Sequence, residues 1–93
     1  MVVGTLEVRL LLREARTLKD KRQVVRSITD RLRNNFNVSV TEVEAQDKQQ
    51  LIVLGVAMAG SEAYPVRQAL QQIVEALRRH PVAELLRHEL AVE

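Results

Sequence analysis

Apolar and polar residues alternate through residues 5–12, TLEVRLLL. Leu6, Val8, Leu10 and Leu12 fall on one side; Thr5, Glu7, Arg9 and Leu11 fall on the other. A two-residue period predicts a strand with one buried face. From Thr17 the period changes. Val24, Val25, Ile28 and Leu32 recur at spacings of three and four, which predicts a helix with a core-facing stripe. Thr17 and Asp20 have the spacing of a capping box, and Asp20 suits the positive end of the helix dipole. Asn34, Asn35 and Asn37 around Phe36 predict a stop through a left-handed residue.

The next stretch, VSVTEVEA at 38–45, predicts a second strand. Its apolar phase slips between Val40 and Val43, the mark of a bulge or twist. QDKQQ, residues 46–50, predicts a hairpin loop. Residues 51–59 form a third strand. Ile52, Leu54, Val56 and Met58 share one face, while Leu51, Val53, Gly55, Ala57 and Ala59 share the other. A strand apolar on both sides calls for cover on both sides. Ser61 is placed to cap a second helix, with Pro65 tolerated in its first turn. Val66, Ala69, Leu70, Ile73, Val74 and Leu77 make the core stripe of that helix. Before Pro81, His80 is expected to cap the helix end by interacting with its dipole. From Leu85 onward, Leu86, Leu90 and Val92 alternate as a fourth strand.

This β-α-β-β-α-β order predicts an α+β, ferredoxin-like sandwich. A four-stranded antiparallel sheet carries two helices on one face, and the monomer leaves the other face bare. The 93 residues are expected to form a single domain, 1–93, since such a length buries one core but not two.

Composition mostly removes possibilities. There are no cysteines, which excludes disulfide frameworks, thiolate nucleophiles, cysteine-based zinc sites and iron–sulfur ligation. It also fits a reducing cytoplasm, the expected location. No basic, then apolar, leader is visible, and the longest apolar run, residues 51–60, is about half the length of a membrane span. His80 and His88 lack a third ligand, so no metal site is expected. No phosphate-loop or dinucleotide-binding motif is present. Residues 13–17, REART, contain no glycine to shape a backbone phosphate cradle. No catalytic residue, cofactor or small-molecule substrate is therefore inferred.

Charge adds a candidate. The formal net charge is only +2. Between residues 13 and 33, however, eight basic side chains face three acidic ones. At 100° per residue, Lys19, Arg22, Arg26 and Arg33 lie within about 60° of one another. With Arg16 and Lys21 they form a candidate nucleic-acid-binding set. Cations on a rigid rod can follow a phosphate backbone, with each contact adding salt-dependent affinity. Arg22 and Arg26 are like charges at i,i+4, which costs stability, so a helix shaped for stability alone would mix its signs better. The plainer alternative is a solvated face with local pairs such as Arg26–Asp30 and Asp30–Arg33.

The bare sheet face adds a second candidate. Val3, Leu11, Leu51, Val53 and Ala57 form an apolar patch, a feature that marks protein–protein contact. This predicts a homodimer interface. Phe36 and Tyr64 are the only aromatics. The sheet therefore lacks the base-stacking platform that RNA-binding domains of this strand order carry.

LKDKR (Leu18 to Arg22), FNVSV (Phe36 to Val40), EVEAQDKQQ (Glu42 to Gln50) and LGVA (Leu54 to Ala57) resemble the YlxP-like family, short bacterial proteins classed as a domain of unknown function. The resemblance spans nearly the whole chain and implies a ferredoxin-like fold. Genes of members often sit near transcription and translation factors, which implies a connection to RNA or the ribosome. It carries over no catalytic residues. Gln49 stands where members often have an aromatic in the hairpin. The expected function is a non-enzymatic RNA- or ribosome-associated binding module, with ribosomal or other structured RNA as partner. The alternative is a homodimeric interaction or regulatory module.

Overall fold

The N-terminal alternation begins earlier than residue 5. In the computed structural model, which describes residues 1–93, it forms strand β1 (Val2–Leu11). Helix α1 (Leu18–Asn35) follows, with the capping box in place. Asp20 N–H donates to Thr17 Oγ1 at 3.0 Å, and Asp20 Oδ2 accepts from the N–H groups of Arg16 (3.0 Å) and Thr17 (3.2 Å). The Arg16 N–H above all, then the Thr17 hydroxyl and N–H and the Arg16 charge, hold the Asp20 carboxyl below its ordinary value of 3.8. The helix does not stop through a left-handed asparagine. Phe36 is extended at the C-cap, and Ala45 is the one non-glycine residue with positive φ, 59°. The chain bends back toward β2 at Phe36 and Asn37, and it makes this turn without a left-handed residue.

Strands β2 (Ser39–Glu44) and β3 (Leu51–Gly60) make the hairpin. Their register shifts between Glu42 and Glu44, which makes Val43 the extra residue of a bulge where the apolar phase slips. Helix α2 (Ala63–Arg78) is capped by Glu62, with no side-chain bond, and not by Ser61. Strand β4 (Glu84–Val92) closes the sheet in the order β2-β3-β1-β4, all neighbours antiparallel. This is the α+β, ferredoxin-like arrangement.

In β4 the simple alternation fails at its start. The β1–β4 register shifts beside Arg9, so Leu10 pairs with Leu85. Leu85 then packs on the core, and Leu86 is left 50% exposed. The core fills the layer between sheet and helices. Leu6, Val8 and Leu10 of β1, Ile52, Leu54 and Val56 of β3, Ile28 and Leu32 of α1, and Leu70 and Ile73 of α2 are buried there. Helix α2 covers β1, β4 and part of β3, while α1 covers β2. No helix is long and apolar enough to cross a membrane.

Candidate functional site

Helix phase sorts the cations of α1 into two kinds. Lys21 lies within about 20° of both Ile28 and Leu32 on the helical wheel. It points into the core stripe and is 0% exposed. Its Nζ donates to the carbonyls of Ala45 (2.7 Å) and Leu51 (3.1 Å). The carboxylate of Glu42 stands 2.8 Å away, its side chain 16% exposed. Glu42 Oε2 is buried and off the line of a hydrogen bond, so charge alone holds it to the ammonium. The placement of Lys21 among phosphate-contacting residues is thus corrected. An ammonium with three internal partners and no exposed surface cannot reach a polyanion. Glu42, missed in the sequence reading, occupies an inward position of β2 opposite Leu54. A carboxylate at an inward strand position, together with a lysine in an apolar helical stripe, was the available signal.

The outward cations are different. Arg16, Lys19, Arg22 and Arg26 are all exposed, and none pairs with a carboxylate. Arg26 forms no pair with Asp30. Arg33 is engaged at the edge of the sheet, where its Nη2 donates to Val40 O at 2.6 Å and its Nη1 lies 3.9 Å from Asp30. There it covers part of the free edge of β2, which pairs only with β3. Of the candidate set four free cations remain, rising from the β1–α1 loop along one flank of α1; Arg31, exposed and also unpaired, lies on a different flank, near His80. Elsewhere Arg9, Arg13, Arg78 and Arg87 are each paired with a glutamate.

The open sheet face is less apolar than its sequence pattern predicts. Val53 lies between Arg9 of β1 and Glu44 of β2 in one row. Those two side chains meet at 2.9 Å, and Val53 beneath them is 0% exposed. Val53 is thus sealed within its own chain and offers no surface to a partner, a correction to the predicted patch. Next to it, a Cβ on Gly55 would stand 2.7 Å from Val43 Cγ1, so glycine lets the bulged valine fold over the strand. The cover that β3 needs on this side comes from its sheet neighbours. Val3, at 39%, and Ala57 remain exposed, and Leu11 and Leu51 are half-buried. Between these ends run Glu7, Arg9, Arg87 and Glu89.

The two histidines lie apart, one at the end of α2 and one in β4. His80 does not act as a cation on the helix dipole, a further correction. Its Nδ1 accepts from the N–H groups of Ala83 (3.0 Å) and Val82 (3.2 Å), a role that requires a bare ring nitrogen. Burial, then the nearby Arg31 charge, lower its pKa below 6.5 and keep it neutral.

A family described as "Protein of unknown function (DUF503)" matches residues 3–90. The uncharacterized protein YlxP of Bacillus subtilis (strain 168) is 31% identical over 83 residues, which cover 89% of this chain and 90% of that protein. The chain belongs to this family.

Proposed function

We propose that this member of the DUF503 family is a cytoplasmic, non-enzymatic binding module whose first helix lies along the phosphate backbone of ribosomal or other structured RNA. One observation carries the reading. Arg16, Lys19, Arg22 and Arg26 are exposed, in no ion pair and grouped at one end and flank of α1, whereas Arg9, Arg13, Arg33, Arg78 and Arg87 are paired and the unpaired Arg31, Arg67 and Arg79 lie apart from the group. Exposed cations in no ion pair need break none to take up a phosphate. Phosphate contact then releases counterions at little cost in order. The readout is of backbone shape, since Phe36 packs on the core and Tyr64 stands alone on α2.

The test is the affinity for ribosomal RNA at two salt concentrations, for the wild type and for Arg22→Glu/Arg26→Glu. The expected result is steeply salt-dependent binding by the wild type. The variant should bind at least tenfold more weakly, with a log–log salt slope shallower by about 2. Absent binding, or equal affinity of the two proteins, overturns the reading.

A second reading is a homodimeric interaction module. It is favoured by half-buried Leu11 and Leu51 and exposed Val3 and Ala57 on a sheet face that no helix covers. Sedimentation at micromolar concentration is expected to show a dimer, and a clean monomer removes it.

A further inference from the structure

Two rows of charge cross the open face. Arg9 of β1 is directly opposite Arg87 of β4, and in the next outward row Glu7 is directly opposite Glu89. Like charges directly opposite on neighbouring strands are destabilising. Placing Arg opposite Glu would have served the monomer better. Instead each arginine reaches along its own strand, Arg87 to Glu89 at 2.6 Å and Arg9 to Glu7 at 3.6 Å, with Glu44 also taking Arg9. The result is a positive row beside a negative row, both open to solvent.

Shape follows the same division. On the negative side the face sinks into a depression of about 530 Å³ lined by Thr5, Glu7, Thr41, Gly55, Ala57 and Ala91, among others. On the positive side the larger Leu11 and Leu51, paired across β1 and β3, stand at the end of the sheet.

We propose that a second copy of this chain docks face to face on this sheet, its strands running in the opposite direction, so that the Arg9/Arg87 row of each copy lies over the Glu7/Glu89 row of the other. The proposal rests on the dimer reading and specifies its register. A two-fold axis across the strands, level with Val8, Leu54 and His88, exchanges position 9 with 7, 87 with 89, 11 with 5 and 51 with 57. Val8 pairs with both Leu54 and His88, so these three levels coincide. Four arginine–glutamate contacts form between copies, and Leu11 and Leu51 of each copy enter the depression of the other. An axis along the strands would set arginine over arginine and glutamate over glutamate. The charge rows therefore select one of the two ways of pairing the sheets as an isologous dimer. Near-aligned sheets of this kind pack in many sandwiches.

The register is tested by sedimentation of the full chain at graded concentration. Arg87→Glu alone sets Glu over Glu twice, and Glu89→Arg alone sets Arg over Arg twice. Each should weaken the dimer at least about tenfold, since like charges meeting across an interface are strongly disfavoured. Arg87→Glu/Glu89→Arg restores both contacts and should dimerise like the wild type. Mixing the two single variants should yield a heterodimer from two monomers. Independently, Leu51→Cys/Ala57→Cys should cross-link into a covalent dimer under mild oxidation, and neither single cysteine should. The wild type has no cysteine to confuse the result.

A wild-type monomer overturns both the dimer reading and its register. A dimer indifferent to Arg87→Glu, a swap that fails to restore, or an equal yield of cross-linked single variants leaves a dimer standing but overturns this register.

Discussion

Lys21 and Arg22 are adjacent in sequence and alike in charge, and the fold treats them in opposite ways. Lys21 is buried among three internal partners and ties α1 to both ends of the β2–β3 hairpin. Arg22, one residue and 100° further round, meets no carboxylate and faces water. Charge alone therefore says little about what a lysine or arginine on this helix does. Its angle relative to Ile28 and Leu32 decides whether it is a structural post or a contact for something outside.

The sharpest way to break that contrast is to remove each charge in turn. Lys21→Met leaves Glu42 without its counter-charge and two carbonyls without their donor in a buried place. Loss of one partner of such a pair costs about 3–5 kcal/mol. Arg22→Met should change stability by less than about 0.5 kcal/mol. Lys21→Met/Glu42→Leu removes the orphaned carboxylate as well, and should recover most of the loss, because an apolar replacement of a buried pair is often neutral. Urea denaturation of the four proteins checks all of this. A Lys21→Met loss below about 1 kcal/mol would show that the ammonium is not a post. RNA binding should follow the reverse order, unchanged in the Lys21/Glu42 double variant and weakened by loss of Arg22.

The same contrast explains what could be read from the residues and what could not. The six elements, the capping box and the bulge were legible because each rests on a local pattern: alternation, three-four spacing, Thr17 to Asp20, and the slip before Val43. Lys21 departs from the expectation that a cation faces water, because its spacing of 7 and 11 to Ile28 and Leu32 puts it in the stripe. Val53 departs from its pattern because its cover comes from Arg9 and Glu44, residues on two other strands whose meeting depends on sheet register. Leu86 fell out of phase through a bulge opposite Arg9, which nothing in its own strand announces. Angles within an element are visible in one dimension, whereas rows across a sheet are not.

A second internal post sharpens the comparison at a smaller scale. Unprotonated His80 Nδ1 anchors the turn after α2 through Val82 and Ala83. His80→Ala should cost about 1 kcal/mol, the worth of typical net hydrogen bonds. His80→Asn, whose side-chain oxygen can stand in for Nδ1, should lose less. Acid should act on His80 and not on the exposed arginines. Its folded pKa lies below the unfolded value of 6.5, so the unfolded chain takes up the proton first. Its contribution is complete above 6.5 and declines as pH falls from there toward the lowered folded value. Thermal unfolding between pH 7 and 5 should show a slope that His80→Asn reduces. An unchanged slope would assign the pH dependence to other groups.

The smallest effect lies where Lys21 meets the backbone. Ala45 adopts φ 59°, and its carbonyl accepts from both Lys21 Nζ (2.7 Å) and Lys48 N–H (3.0 Å). A left-handed alanine costs about 1–2 kcal/mol, and glycine gives back about 0.5–1 kcal/mol of that through its freer unfolded chain. Ala45→Gly should therefore stabilise by about 0–1.5 kcal/mol, with a middle value below about 1 kcal/mol. Which bond imposes the conformation can be separated by repeating the substitution in Lys21→Met. If Lys21 draws the carbonyl inward, Ala45 relaxes once the ammonium is gone. The gain from glycine then falls toward zero, a coupling larger than the roughly 0.3–0.5 kcal/mol expected of independent sites. If the gain persists, the turn closed by Lys48 sets the angle, and Lys21 accepts a geometry it did not make. Lys21 would then hold Glu42 and the carbonyls of Ala45 and Leu51 without shaping the hairpin, and its contrast with Arg22 would rest on those contacts alone.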